Sequence, residues 1–376
     1  MPAPTGLVQQ LDQRLHRHEL MEPGARIIIA CSGGCDSVAL LRLLQSVNQS
    51  KHWRWQIMVA HVNHNLRQAA SRGDERFVRK LAARLDLPCA VEQLPRPKQG
   101  VTRSEAHLRQ SRYGALAKIA RRYRCSYIAV AHHADDQAET VLLRILRGAG
   151  PQGLSAMAER CELGDAVAEE SGPRGGKSTR PIHLVRPLLT FTRANLEHYL
   201  NNIGQPWRSD HTNAQDIYLR NRIRNQLLPL MRQLQPDIYD RLVSLAATQR
   251  GAAEALRVYT AQLRRAARPR RTTNGWSLDR TKLAAGPAFL AAAVLRDLMG
   301  ELSVPLDRIN RSSLTQAVEL LKKKGQALRY QFAGGIVLTA KGGHSPTAQR
   351  LHLSKQSGRV FSRGAAGTAP SRRSKP

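Results

Sequence analysis

Arg26-Ile27-Ile28-Ile29-Ala30-Cys31-Ser32-Gly33-Gly34-Cys35-Asp36-Ser37 is the stretch on which the reading of this chain turns. Ile27 to Ala30 is a short β-branched run and reads as a buried strand. Ser32-Gly33-Gly34 is a turn that glycine makes cheaply, because its backbone tolerates positive φ. Val38, Leu41, Leu44 and Val47 recur at helical spacing, so a helix is expected from about Asp36 or Ser37. A strand, a glycine turn and a helix N-terminus make an anion site, since free backbone N–H groups and the positive end of the helix dipole meet there.

The spacing excludes two common phosphate loops. No Gly-Lys-Ser/Thr follows a longer glycine loop, and the three glycines of a dinucleotide fingerprint are absent. Gly175-Gly176-Lys177-Ser178 is a decoy, because Ser171 stands where the first glycine is needed and no strand precedes it. Ser32-Gly33-Gly34-Cys35-Asp36-Ser37 instead resembles the signature of the PP-loop ATP pyrophosphatases. That resemblance implies ATP binding by Ser32 to Ser37, with Asp36 managing Mg²⁺ on the triphosphate. The plain structural alternative makes Asp36 an N-cap.

The rest of the chain divides by pattern. Residues 1–230 are expected to form the main α/β domain, 231–275 a helical connector, 276–355 a small α/β domain, and 356–376 a disordered basic tail. Strands are expected at Gln56–Ala60, Cys89–Leu94 and Tyr127–Ala131, alternating with helices that include Asp136–Leu146. Such alternation predicts an α/β fold with a doubly wound parallel sheet. Ligands then sit beyond the carboxyl ends of the strands, where Ser32, His61 and His132 fall. Glu159 to Arg180 reads as a surface loop, Ile217–Met231 as a basic helix and Arg264–Arg271 as a basic linker.

The net charge of +31 points to a polyanionic partner, nucleic acid first. No run approaches the apolar length of a membrane helix, and no secretory pattern opens the chain, so no membrane is expected and a cytoplasmic setting is favoured. The five cysteines form no Cys-x-x-Cys pair, which argues against zinc, iron–sulfur and disulfide chemistry. Cys35 fills a variable position of the loop.

Three further clusters carry chemistry. In His132-His133-Ala134-Asp135-Asp136-Gln137-Ala138-Glu139, Asp136 and Glu139 share a helix face. They form either a capping box or an acidic pocket for a cationic ligand, Mg²⁺ or an ammonium group. Glu105, Arg109 and Arg112 fall along another helix, where they form surface i,i+4 pairs or else Arg112 or Arg109 offsets triphosphate charge or grips RNA. Arg208, Arg220, Arg222 and Arg224, with Trp207 and Tyr218 beside them, suit an RNA backbone.

Taken with Leu146–Met157 and Arg186–Leu189, these residues resemble the tRNA(Ile)-lysidine synthetases over roughly the first 230 positions. His107 departs from the Arg expected there. The resemblance implies ATP, Mg²⁺, L-lysine and the isoleucine tRNA with a CAU anticodon as ligands. ATP adenylates the wobble cytidine, lysine displaces AMP, and lysidine forms. It implies Asp36, Asp136 and Glu139 as catalytic residues, Asp136 and Glu139 as the lysine site, and His61 and Arg112 beside the ATP loop. A homodimer is left open. The competing readings are a tRNA thiolation enzyme of the same superfamily, which should carry paired cysteines, and a non-catalytic RNA-binding protein on the same fold.

Overall fold

The computed structural model describes residues 4–49, 52–63, 68–95, 105–164, 181–208, 219–303, 306, 309–323, 325–343 and 349–355. The expectations placed on His64–Arg67, on Tyr218, on 165–180 and on the 356–376 tail lie outside the described residues. The chain folds as two units, Met1–Ala253 and Glu254–Pro376.

In chain order the first unit runs α1 (Pro4–Arg17), β1 (Arg26–Ala30), α2 (Cys35–Asn48), β2 (Gln56–Asn63), α3 (Gln68–Arg84) and β3 (Cys89–Gln93). It continues with α4 (Glu105–Arg122), β4 (Tyr127–Ala129), α5 (Ala134–Leu146), α6 (Pro151–Leu154), β5 (Arg160–Glu162), β6 (His183–Val185) and α7 (Arg193–Asn202). Next come α8 (Leu219–Arg222), a π-helical turn (Ile223–Leu227), α9 (Leu228–Leu234) and α10 (Ile238–Ala266), which passes the unit boundary.

The sheet order is β3-β2-β1-β4-β6-β5, parallel except for β5, which runs antiparallel to β6 at one edge. β1 is buried on both faces, as its β-branched run requires. Ile27 and Ile29 pack with Leu11 and Leu15 of α1, with Val38 and Leu41 of α2 and with Leu196 of α7. Ile28 faces the other way, onto Tyr113, Leu116 and Ile119 of α4. The strands therefore end together at one edge, beyond which a ligand has room.

Several boundaries differ from the sequence reading. β2 extends to Asn63, so His61 lies within the strand rather than past it. α5 begins at Ala134 with His133 as N-cap, which places Asp136 at the third helical position rather than at the cap. Arg160–Glu162 pairs with His183–Val185 inside a stretch whose composition reads as loop. Three-residue strands carry too little periodicity to show in a sequence.

The second unit carries β7 (Arg270–Thr272), β8 (Gly275–Asp279), α11 (Arg280–Ala285), α12 (Ala288–Gly300), α13 (Arg311–Lys322), β9 (Leu328–Phe332), β10 (Ile336–Ala340) and β11 (Arg350–Lys355). The strands form an antiparallel sheet in the order β7-β8-β11-β10-β9. The Arg264–Arg271 segment is therefore the end of α10 and the start of β7, not a linker. One face carries Leu278, Leu338, Leu351 and Leu353 and packs on α12 and α13. On the other face Arg270, Ser277, His352, Thr339 and Arg329 lie in one register row across all the strands.

Arg280 is buried beneath this core and donates to the carbonyls of Leu321, Gln326 and Lys323 at 3.2, 2.7 and 2.5 Å. These are carbonyls at the end of α13 and the turn after it, with no helical partner of their own. Arg280→Met is expected to cost about 2–3 kcal/mol, because it leaves several of those carbonyls buried and unpaired. Chemical denaturation followed through Trp276 fluorescence checks this; an unchanged midpoint would remove Arg280 from the account of this unit.

Candidate active site

The loop between β1 and α2 is held by its own hydroxyls. Ser37 Oγ accepts from the Ser32 backbone N–H at 3.1 Å, donates to the Gly34 carbonyl at 2.9 Å and lies 3.1 Å from Ser32 Oγ. Gly33 has φ +95°, a backbone conformation that favours glycine. The α2 N-cap is Gly34, which has no side chain to consume the first N–H groups. Those donors and the positive end of α2 are left for an anion. Cys35 is buried, and burial pushes its thiol up to about 12, so it is no nucleophile at neutral pH. His61 is 4 % exposed and its Nδ1 bonds the Cys31 carbonyl at 2.9 Å. It braces the loop from below through that nitrogen.

A second strand end brings acids to the same place. His133 is buried and stands among three carboxylates: Nδ1 is 3.2 Å from Asp135 Oδ2, and Nε2 is 3.6 Å from Asp36 Oδ2 and 3.5 Å from Asp136 Oδ2. Burial disfavours its charge, but the hydrogen bonds to Asp135 and Asp36 and the charge of Asp136 outweigh that and push the imidazolium up to about 10. Asp135 in turn is held below the usual carboxylate range: burial alone would raise it, and the bond from His133 reverses that. Asp135 Oδ2 also accepts from the Arg193 backbone N–H at 3.0 Å, and Asp136 Oδ2 accepts from the His133 backbone N–H at 3.2 Å.

Glu139 lies one turn deeper, with no exposed surface. Arg220 Nε donates to its Oε2 at 2.8 Å, and Arg224 Nε donates to its Oε1 at 2.5 Å. Both guanidinium groups also reach Asp136 Oδ1 at 3.4 Å. The structure thus joins Asp136, Glu139, Arg220 and Arg224, which the sequence reading divides between a lysine site and a tRNA surface. The π-helical turn following Arg222 belongs to this contact, since Ile223 packs on Ala138 and Val141 of α5. Arg222 is not buried among these groups. Arg208 sits elsewhere, on the glycine turn: its backbone N–H donates to the Gly33 carbonyl at 2.9 Å, and its Nε donates to Asp74 Oδ1 at 2.7 Å.

Arg112 lies over the Tyr113 ring at 5.4 Å, and its Nε is buried without a hydrogen-bond partner among the described residues. His132 is kept neutral below its ordinary range by burial and then by the charges of Arg186, Arg109, Arg112 and Arg220. Sequence reasoning placed His132 at a strand end and gave His133 no role of its own. It therefore missed His133 as the cation that gathers Asp36, Asp135 and Asp136. The signal was present: two Asp follow a His at a strand end, and acids that close need a cation.

Asp36 Oδ1 is buried and has no partner among the described residues. One carboxylate oxygen without a partner, beside a turn with free backbone N–H groups, fits Mg²⁺, which takes one or two carboxylates and fills its shell with water and phosphate oxygens.

Residues 6–231 match the family described as the PP-loop domain. A tRNA(Ile)-lysidine synthase from Geobacter sulfurreducens is 40% identical over 232 residues, which cover 61% of this chain and 45% of that protein. One from Synechococcus sp. is 32% identical over 314 residues, covering 84% and 86%. The chain thus spans about half the length of the first relative and most of the second. Among solved structures, the U34-tRNA thiolase NcsA from Methanococcus maripaludis aligns with TM-score 0.51 at 12% identity, over 65% of this chain and 79% of that one. At that identity the likeness is one of fold.

The raised pKa of His133 has a definite sign. The unfolded ring titrates near 6.5, so its contribution to stability is fully present below that pH and is lost as pH rises through about 10. In the metal-free protein, ¹⁵N-histidine NMR is expected to show His133 doubly protonated, and His132 neutral, throughout about pH 6–8. A His133 ring that titrates near 6.5 would contradict the three-carboxylate arrangement.

Proposed function

The chain belongs to the PP-loop domain family, among the tRNA(Ile)-lysidine synthases, and from that membership we propose that it joins L-lysine to the wobble cytidine of an isoleucine tRNA with a CAU anticodon, using ATP. The observation that carries the proposal is the meeting of two strand ends. The phosphate-binding turn at Ser32–Ser37 and the acidic pocket at Asp136 and Glu139 are joined by His133 through Asp36. One half suits a triphosphate and the other a cationic amine.

In this reading the turn and the N-terminus of α2 bind the β- and γ-phosphates. Arg112 offsets their charge with its unpaired Nε edge. The cytidine 2-carbonyl oxygen attacks the α-phosphorus, a P–O bond forms, and pyrophosphate leaves. Asp36 would hold Mg²⁺, which would neutralise triphosphate charge. The lysine ε-amine then attacks C2, and the C–O bond breaks with AMP as the leaving group. A carbonyl oxygen leaves poorly and AMP leaves well, which is what the adenylation achieves.

The amine must arrive neutral, against a reference pKa near 10.4. Asp136 and Glu139 orient it, while the adjoining guanidinium groups of Arg220 and Arg224 disfavour its charged form. The arginines hold Glu139 at 2.8 and 2.5 Å but Asp136 only at 3.4 Å, so Asp136 is the better acceptor for the amine's proton. Arg222, and the basic row Arg270, His352 and Arg329 in the second unit, offer cations to the tRNA backbone.

Radiolabelled lysine is expected to enter an isoleucine tRNA(CAU) transcript with AMP formed in equal amount, and not the methionine tRNA that shares the anticodon. Asp36→Asn and Asp136→Asn are each expected to lower that rate by at least about 100-fold with tRNA affinity retained. Tight tRNA binding with no lysine transferred by the unmutated protein would defeat the proposal and favour a binding role. Transfer of sulfur in its place would favour the thiolation chemistry.

A further inference from the structure

Arg208 is a cation laid directly on the phosphate-binding turn. Its backbone N–H is bonded to the Gly33 carbonyl at 2.9 Å, and its Cγ lies 3.8 Å from where a Gly33 Cβ would stand. Its guanidinium is turned toward the start of α3: Nε donates to Asp74 Oδ1 at 2.7 Å, and Nη2 is 3.1 Å from the Cβ position of Gly73. The pair is accessible, with side-chain exposures of 44% for Arg208 and 36% for Asp74. An exposed pair of this kind is weak, worth well under a strong hydrogen bond to phosphate.

The turn itself contains no lysine or arginine between Cys31 and Leu41, and Asp36 puts a negative charge inside it. A triphosphate placed there needs cations beyond backbone N–H groups. Arg220 and Arg224 are committed to Glu139 and Asp136, and His133 to three aspartates. Arg208 has a backbone fixed to the turn, a side chain long enough to pivot about that fixed point, and only a weak exposed pair to give up.

We propose that Arg208 is a phosphate-contacting residue of the nucleotide site, and that it exchanges Asp74 for the terminal phosphates when ATP binds. This rests on the ATP reading above and adds a residue to it. The reading from sequence, in which Arg208 grips tRNA, is replaced by a role on the nucleotide. Asp74 then competes with ATP for the same guanidinium, so the two partners have opposite effects on affinity.

Equilibrium binding of Mg-ATP and of AMP to the full chain, without tRNA, tests this. Arg208→Ala is expected to weaken ATP by about tenfold or more while AMP, which lacks the terminal phosphates, changes less than about twofold. Arg208→Lys is expected to keep part of the ATP affinity. Asp74→Asn is expected to tighten ATP, because it frees the arginine. Thermal melting of each variant confirms that it is folded.

If Arg208 and Asp74 were only a strap, both substitutions would weaken ATP and AMP alike, and the proposal would fall. It would fall equally if Arg208→Ala left ATP unchanged and lowered tRNA affinity instead. Unmutated protein that bound no ATP would defeat the nucleotide reading itself. That outcome is distinct from an unmutated protein that binds ATP and a variant that does so equally well.

Discussion

Three aspartates from two separate strand ends meet around one imidazolium. Asp36 comes from the helix after the glycine turn, and Asp135 and Asp136 come from the helix after β4. Brought this close in a half-buried place without a cation, they would repel one another and lose solvent at a cost of several kcal/mol per charge. His133 resolves this by staying protonated. It also joins the glycine turn and the acidic pocket into one electrostatic unit, because its ring contacts Asp36 and Asp136 together. The arginines on the π-helical side do the same for Glu139. The site is a set of opposed charges fixed by the strand ends and helix starts of a rigid sheet.

This arrangement explains how one acidic site fits a chain of net charge +31. Acids and cations are matched one against another at the strand ends, and the surplus of arginine lies outward on residues such as Arg222 and the open face of the second unit. A polyanionic substrate is drawn to the surface. On the function proposed above, a small cationic substrate would find its carboxylates already oriented, and their arginine partners would keep the amine from holding its proton too firmly.

Much of the first unit was legible because long signals wrote it. The Ile27–Ala30 run, the glycine turn and the helical spacing after it gave the β1–α2 anchor, and alternating segments gave the parallel sheet. What escaped was short or non-local. β5 and β6 are three residues each, and their pairing is fixed by partners rather than by pattern. The helix after β4 starts two residues earlier than its apolar period suggests, because His133 supplies the N-cap position. The pairing of Arg220 and Arg224 with Glu139 spans more than 80 residues of sequence. No local reading distinguishes such arginines from an RNA-binding face. The Arg208–Asp74 pair is as non-local, its partners lying 134 positions apart.

The measurement closest to the centre of this account follows one oxygen atom. An isoleucine tRNA(CAU) carrying ¹⁸O at the 2-carbonyl of its wobble cytidine is given lysine and Mg-ATP, and the AMP is analysed by mass spectrometry. If the phosphate turn and the acidic pocket work on the same base, the ¹⁸O leaves in the phosphate of AMP, one atom for each lysine joined. AMP that carries no ¹⁸O would mean that water or the lysine carboxylate took the adenylyl group. The joined site described here would then be wrong.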